Sequence, residues 1–375
     1  MGYQTCPLEI MVINKNFWVN KRVFVTGHTG FKGGWISLWL QSLGAQVTGY
    51  SLEPRSSPNL FQIGRVADNM TSIIGDISDY HGLATALSDA KPEIVFHMAA
   101  QPLVRYSYGN PIETFTTNVI GTVHILEALR KCSTVKALVN VTTDKCYENK
   151  EWIWSYRENE SMGGRDPYSC SKACAELVTS SFRESFFSQE TYEKHGLAVA
   201  SVRAGNVVGG GDWSEDRLVP DIIRAINSNK SVSVRNPDST RPWQHVLEPI
   251  SGYLILAEKL CTHGMQYAEA WNFGPETGES ISVLDILKKL DHLMPSGIKW
   301  NIAKDKNVHE ANLLTLDISK VKKYLKWKPL LDIDKTLQLI VDWNTRYNNG
   351  ADMHDFTHQQ IELYQEQLWD KLSKR

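Results

Sequence analysis

Val23-Phe24-Val25-Thr26-Gly27-His28-Thr29-Gly30-Phe31-Lys32-Gly33 runs from a β-branched stretch through three evenly spaced glycines into a helical pattern. Gly27 allows a tight turn at the end of a strand, and Gly33 allows the following helix to pack closely against that strand. A helix start placed there offers free N–H groups and partial positive charge to an anion such as a pyrophosphate. A glycine triplet by itself also describes an empty turn, so its surroundings decide its meaning.

Those surroundings alternate. Short β-branched or apolar runs at 22–26, 46–50, 71–74, 94–98 and 137–141 are separated by helical patterns at 32–43, 80–90 and 112–131. A helix at 168–187 and a sixth strand at 198–203 follow. Strands alternating with helices predict βαβ units, hence a doubly wound α/β fold with a parallel sheet. Beyond residue 203 the regularity degrades into loops punctuated by Gly209-Gly210-Gly211, Asn236-Pro237 and Arg241-Pro242, with helices at 219–227, 282–293 and 335–348. A polar helix at 354–374 reads as lying on the surface. The expected division is an extension at 1–15 and a dinucleotide-binding domain at 16–204, to which part of 236–271 returns. Residues 205–235 and 272–375 form a smaller, mostly C-terminal α/β substrate-binding domain.

Open α/β sheets bind ligands at the carboxyl ends of their strands, so strand-end residues are the cofactor candidates. Thr29, Gly30, Phe31 and Lys32 belong to the turn. Asp76 and Ile77 close the third strand, where Asp76 can meet an adenine amino group. Ala99, Ala100 and Gln101 close the fourth, leaving room for ribose and pyrophosphate. Thr117 and Thr142 join this set. Ser51 stands where an acid would select NAD through the ribose 2′-hydroxyl, and Arg55 can meet a phosphate, so the residues leave NAD and NADP open.

Tyr168-Ser169-Cys170-Ser171-Lys172 carries the chemistry. Residues four apart share a helix face, so Lys172 is expected near the Tyr168 ring, where an ammonium lowers a phenol's pKa. A phenol so tuned takes a proton from a sugar hydroxyl as hydride leaves the same carbon. Val141-Thr142-Thr143-Asp144-Lys145-Cys146-Tyr147 ends the fifth strand in the same crevice. Thr143 is placed to orient the reacting hydroxyl, and Asp144 and Lys145 to act as an acid–base pair. Read blandly, they are an exposed loop salt bridge.

The turn at 27–33, the Thr143 position and the Tyr168/Lys172 pair together resemble the extended short-chain dehydrogenase/reductase family, over about residues 17–331. Thr143-Asp144 followed by a charged residue is similar to its nucleotide-sugar 4,6-dehydratases. Lys145 replaces the glutamate of the dTDP-glucose enzymes. With Trp152-Ile153-Trp154 and Thr240-Arg241-Pro242-Trp243-Gln244-His245, that departure resembles the group acting on CDP-glucose. The resemblance implies a Rossmann-type fold, NAD as cofactor and three stages: oxidation at C4, loss of water across C5 and C6, and hydride return to C6. It implies Tyr168 as the C4 base and Asp144 as the acid for the departing hydroxyl. Lys145 falls at the C5-base position, where a lysine serves only if its pKa is pushed toward neutrality; otherwise it polarises the ketone or holds Asp144 ionised. Arg241 and Asn206 are implied as diphosphate ligands, with Asn272, Arg235 and Arg217 as helpers. Trp213 and Trp243 lie in loops near the expected sugar pocket, either stacking on base or sugar or plugging an interface.

A 4-epimerase shares fold, cofactor and the Tyr–Lys pair, but needs no acid–base pair to lose water. An NAD-sensing protein without turnover needs neither Tyr168 nor Lys172. The 375 residues carry a net charge of -2, so no overall field favours nucleic acid or an anionic membrane. Six scattered cysteines form no CxxC pair, so neither a disulfide framework nor a metal site is expected. No apolar run approaches the ~18 residues of a membrane span, and 1–13 lacks a secretory pattern, so a cytoplasmic enzyme is expected. The resemblance further implies a homo-oligomer, dimer or tetramer, paired through the helices at 112–131 and 168–187. It also implies deoxysugar supply for lipopolysaccharide O-antigen.

Overall fold

The computed structural model describes residues 13–276, 281–294, 297–303 and 313–373; the expected extension lies outside them except for 13–15. Its centre is a seven-stranded sheet whose order, in chain numbering, is seventh, sixth, fifth, fourth, first, second, third. All of its pairings are parallel. Arg22–Thr26, Gln46–Ser51, Thr71–Ile74, Ile94–His97, Ala137–Val141 and Ala198–Ala204 fall within a residue of the sequence expectation. The reason is physical. Strands covered on both faces must be apolar throughout, and Ile94–His97, Ala137–Val141 and Ala198–Ala204 are buried at every position.

The two faces hold different cores. Phe31–Ser42 and Leu247–His263 cover one, burying Trp35, Leu38, Trp39, Ile250 and Leu254. Tyr80–Ala90, Gly121–Arg130 and Pro167–Ser185 lie on the other, where Leu83, Leu87, Ile125, Leu126 and Leu129 meet. The strand order reverses between the first and fourth strands, which opens a crevice at their carboxyl ends.

The sequence reading missed the edge strand Ala270–Phe273, which pairs with Ser201–Ala204. Four residues containing an asparagine carry little strand signal. The last helix, Met353–Ser373, is not merely surface-lying: Ile361, Tyr364 and Leu368 are buried in the main core. Tyr364 packs edge-on against Trp39 at 5.7 Å and donates to Glu248 at 2.7 Å. Of the twelve tryptophans, Trp18, Trp35, Trp39, Trp271, Trp327 and Trp343 are fully buried, as expected for large aromatics.

A separate apolar cluster joins Leu218–Asn227, Val283–Leu293 and Ile333–Asn348 through Ile222, Ile223, Ile286, Leu287, Leu290 and Ile340. Its strands are two or three residues long: Val232–Val234 pairs with Trp300–Ile302, and Thr240–Arg241 with Ile281–Ser282. Such short ladders contribute little, so burial of those side chains, each worth roughly 1.5–3 kcal/mol, holds this lobe together. It overhangs the ends of the fifth and sixth strands.

Candidate active site

The turn after the first strand is as close-packed as its glycines suggest. A Cβ on Gly27, whose φ is +79°, would lie 2.8 Å from Ala99 N, and one on Gly33 would lie 1.9 Å from Gly27 O. Gly30 caps the helix without a side-chain hydrogen bond, so its first N–H groups are open to an anion. The hydroxyls of Thr29 and Ser51 lie 2.8 Å apart at the end of the second strand. Asp76 accepts from Ser78 N at 2.8 Å, and Ile77 is buried against Gly121. Arg55 donates to Glu113 at 2.7 Å and lies over the Tyr106 ring. Its guanidinium is thus engaged within the protein, which weakens its reading as a ligand for a 2′-phosphate.

Met98 N and Ala99 N donate to Thr26 Oγ1, and Gln101 is tied to the helices behind it by Asn118, which sequence reasoning passed over. Its Oδ1 accepts from Gln101 N at 2.8 Å, and its Nδ2 donates to Gln101 O at 3.0 Å and Ser171 Oγ at 2.8 Å. Asn118 lies in a π-turn, Thr116–Ile120, beside Thr117. Such insertions commonly mark functional positions, but nothing in the local sequence announces one.

Asp166 caps the helix Pro167–Ser185 by accepting from Ser169 N at 2.9 Å, with Pro167 at its first position. The first turn is thereby fixed, and Tyr168 is buried at the mouth of the crevice with its N–H on Ser107 Oγ. The Thr143 side chain lies beside the Tyr168 phenol. Thr143 Oγ1 donates in turn to Asp144 Oδ1 at 3.0 Å, which also accepts from Lys145 Nζ at 3.2 Å. Asp144 is 1% exposed, and its Oδ2 has no partner among the described residues. This trio faces inward and is not a solvated surface pair.

The electrostatics depart from the expectation in one respect. Burial pushes the Tyr168 phenol up to about 12, opposed chiefly by the neighbouring Thr143 side chain and the Arg217 charge. Lys172 is not among the principal influences on it. Burial drives the Lys172 amine down to about 8, and Nζ reaches Val141 O at 3.4 Å. Sharing a helix face placed the two side chains in one region, but the low dielectric disfavours both charged forms.

One cleft at the strand ends brings together Phe31, Lys32, Thr142, Thr143, Lys145, Tyr168, Asn206, Arg217, Arg235, Arg241 and Trp243. Asn206 Oδ1 lies 3.4 Å from Lys145 Nζ. Arg217 pairs with Asp212 at 2.9 Å and Arg235 with Asp216 at 2.7 Å. Asn272 does not join them. It is fully buried, donates to Tyr156 O and Asp317 O, and accepts from Tyr147 OH, so its amide is spent inside the protein. Trp213 is likewise removed from the sugar pocket, packed edge-on against Trp343 and Tyr347.

Beneath the cleft, Glu176 and Arg203 form a bidentate pair at 2.8–2.9 Å. Glu176 also accepts from Thr142 and Ser201, and Arg203 donates to Tyr147. Glu176 was missed, although its place four residues after Lys172 on the same helix was a usable signal.

The family model for GDP-mannose 4,6 dehydratase matches residues 24–340. The CDP-glucose 4,6-dehydratase of Salmonella typhimurium is 54% identical over 353 residues, covering 94% of this chain and 98% of that protein. Among solved structures, the dTDP-glucose 4,6-dehydratase of Bacillus anthracis in complex with NAD gives a TM-score of 0.70 at 21% identity, covering 89% of this chain and 98% of that one. A UDP-glucose 4-epimerase of Stenotrophomonas maltophila with bound NAD gives 0.75 at 21%, covering 89% and 100%. At that distance likeness shows the fold, which dehydratase and epimerase share; the family rests on the sequence matches. The chain belongs to the GDP-mannose 4,6 dehydratase family, within the extended short-chain dehydrogenases/reductases.

Proposed function

We propose that this chain converts CDP-glucose to CDP-4-dehydro-6-deoxyglucose and water, and that Thr143, set beside Tyr168 and hydrogen-bonded to Asp144, is the feature that serves elimination. As a member of its family the chain is an NAD-dependent nucleotide-sugar 4,6-dehydratase. The close-packed turn at Gly27 and Gly33, with its uncapped helix start, fits the cofactor's pyrophosphate. NAD bound there would supply the hydride acceptor for oxidation and the hydride donor for the final reduction. The choice of CDP-glucose follows the 54% identical relative.

Tyr168 takes the C4 hydroxyl proton, and the positive charge of a nicotinamide opposes the burial that raises its pKa. Asp144, with one buried oxygen unpartnered, gives a proton to the departing C6 hydroxyl. Tyr168 ends one proton richer and Asp144 one proton poorer. The Thr143 hydroxyl between them carries the proton back and resets both. An epimerase has no use for such a link. Lys145 donates to Asp144 and to Asn206 and so aligns both. Arg217, Arg235 and Arg241 supply cations for the diphosphate, and Trp243 closes the same pocket.

We further propose a homo-oligomer paired through Pro111–Phe115, Gly121–Arg130 and Pro167–Ser185, which leave Ile112 83% and Leu177 58% exposed. No helix among the described residues is long and apolar enough to cross a membrane. A cytoplasmic role in supplying deoxysugar for O-antigen is consistent with this assignment. Incubation with CDP-, dTDP-, UDP- and GDP-hexoses in parallel tests the reading. CDP-glucose is expected to give a 4-keto-6-deoxy product that absorbs in alkali. An epimer, or preference for another nucleotide, contradicts it.

A further inference from the structure

The second strand ends without the acid that selects NAD through the ribose 2′-hydroxyl. Ser51 stands at that place, its hydroxyl 2.8 Å from Thr29 Oγ1, which donates to Leu52 O at 2.8 Å. The following loop is thereby knitted to the cofactor turn, and an acid reaches it from another segment. Arg55, on that loop, donates through Nη2 to Glu113 Oε1 at 2.7 Å. Tyr106 OH donates to Glu113 Oε2 at 2.6 Å, and the Arg55 guanidinium lies over the Tyr106 ring, 5.5 Å from its centroid. Glu113 belongs to Pro111–Phe115, which is fastened beyond the fourth strand by Gln101 Nε2 donating to Thr114 Oγ1 at 2.9 Å.

The sheet fixes where this link runs. The first strand lies between the second and the fourth, with Thr26 in register with Tyr50 on one side and His97 on the other. A link from the loop after the second strand to the helix after the fourth therefore spans the carboxyl end of the first, where the glycine turn lies. Asp76, at the end of the third strand, is close enough for its charge to act on Glu113. Arg55, Tyr106 and Glu113 thus border the adenosine side of the turn. The hydrogen bonds from Tyr106 and Arg55 hold the Glu113 carboxyl below its ordinary range, so it stands there ionised.

We propose that Glu113, paired with Arg55, selects NAD over NADP in place of an acid at the end of the second strand; this rests on the placement of NAD in the turn argued above. A 2′-phosphate brings about two negative charges. It meets the Glu113 carboxylate, while the Arg55 guanidinium is already engaged by that carboxylate. A 2′-hydroxyl is neutral and can donate to a carboxylate, so NAD meets no such repulsion. Once Glu113 loses its charge, Arg55 is released to pair with a phosphate.

Equilibrium dialysis of the NAD-loaded full chain against NADP tests this. Quantifying both bound cofactors gives the ratio of their Kd values, which a general loss of folding does not move. Glu113→Gln is expected to shift the ratio toward NADP by ~10-fold, the worth of one charge-assisted hydrogen bond gained by the phosphate. Arg55→Gln should shift it the other way, because the carboxylate then faces the phosphate alone. The double variant should lose the gain of Glu113→Gln. Glu53→Gln, an exposed acid on the same loop, should leave the ratio in place. An unchanged ratio in Glu113→Gln overturns the proposal, as does a double variant that keeps the gain. It is overturned equally if both single variants move the ratio in one direction, or if Glu53→Gln moves it instead. Wild type that holds no NAD would overturn the placement of the cofactor, and the proposal with it.

Discussion

Arg203 grips Glu176 through Nε and Nη2 beneath the reacting groups, with each side chain 4% exposed. Burial works to raise the Glu176 pKa, but the Arg203 charge and hydrogen bonds outweigh it and hold the carboxyl below its ordinary value. Removing one charge strands the other, so Glu176→Gln is expected to destabilise the protein by ~3–5 kcal/mol, visible as a lower melting temperature. The sign with pH follows from the depressed pKa. The contribution is complete above the ordinary carboxylate range and is lost as pH falls through the folded value. The gap between wild type and variant should therefore narrow in acid; a gap that widens would mean that Glu176 is not held ionised.

Thr143→Val removes the hydroxyl between Tyr168 and Asp144 while keeping the side-chain shape. Turnover on CDP-glucose should fall by ~10²-fold with KM little changed, because the proton can no longer return from the phenol to the carboxyl. Thr143→Ser should recover most of the rate. A fully active valine variant would leave the bridge without a role.

Asp144→Asn separates the two halves of the reaction. Oxidation at C4 should continue, and bound NADH absorbance should rise on adding CDP-glucose. Formation of the alkali-absorbing product should fall by ~10²–10⁴-fold. Equal loss of NADH formation would place Asp144 in oxidation rather than elimination.

Gly33→Ala tests the turn. The new methyl would lie 1.9 Å from Gly27 O, a backbone atom that cannot swing away. The expected result is loss of copurifying NAD and a lower melting temperature, measured by absorbance of the released cofactor and by thermal denaturation. Normal NAD content would show that helix and strand need not approach so closely.

The sheet was legible because doubly covered strands must be apolar, and the turn because its glycines have no substitute at Gly27 and Gly33. Tyr168 and Lys172 were legible by spacing. Their electrostatics were not, since burial, which raises one and lowers the other, and the Arg217 charge that opposes it at Tyr168 arise from segments distant in sequence. Asn272 was misread for a similar reason. Its partners Tyr147, Tyr156 and Asp317 come from segments remote from it in sequence, and only the fold shows that they exhaust its amide. The buried stripe of the last helix, Ile361, Tyr364 and Leu368, is too sparse among Gln and Glu to stand out.

Glu258 gives a pH test far from the cleft. Its Oε1 accepts from Trp18 Nε1 at 2.7 Å and Asn14 N at 2.9 Å, and burial raises its pKa to about 7. Among the described residues no guanidinium pairs with it as Arg203 pairs with Glu176. A carboxyl with a raised folded pKa binds its proton more tightly in the native state, so its ionisation costs stability. That cost is absent at and below the unfolded value of 4.5 and complete above about 7. A glutamine oxygen can accept the same two hydrogen bonds without a charge. Glu258→Gln should therefore be more stable than wild type at pH 8, by up to ~3 kcal/mol from the size of the shift, and nearly equal to it at pH 5. Paired thermal melts at the two pH values measure this directly. A variant that loses stability relative to wild type on going from pH 5 to pH 8 would show that the native carboxylate is stabilised, contrary to its surroundings.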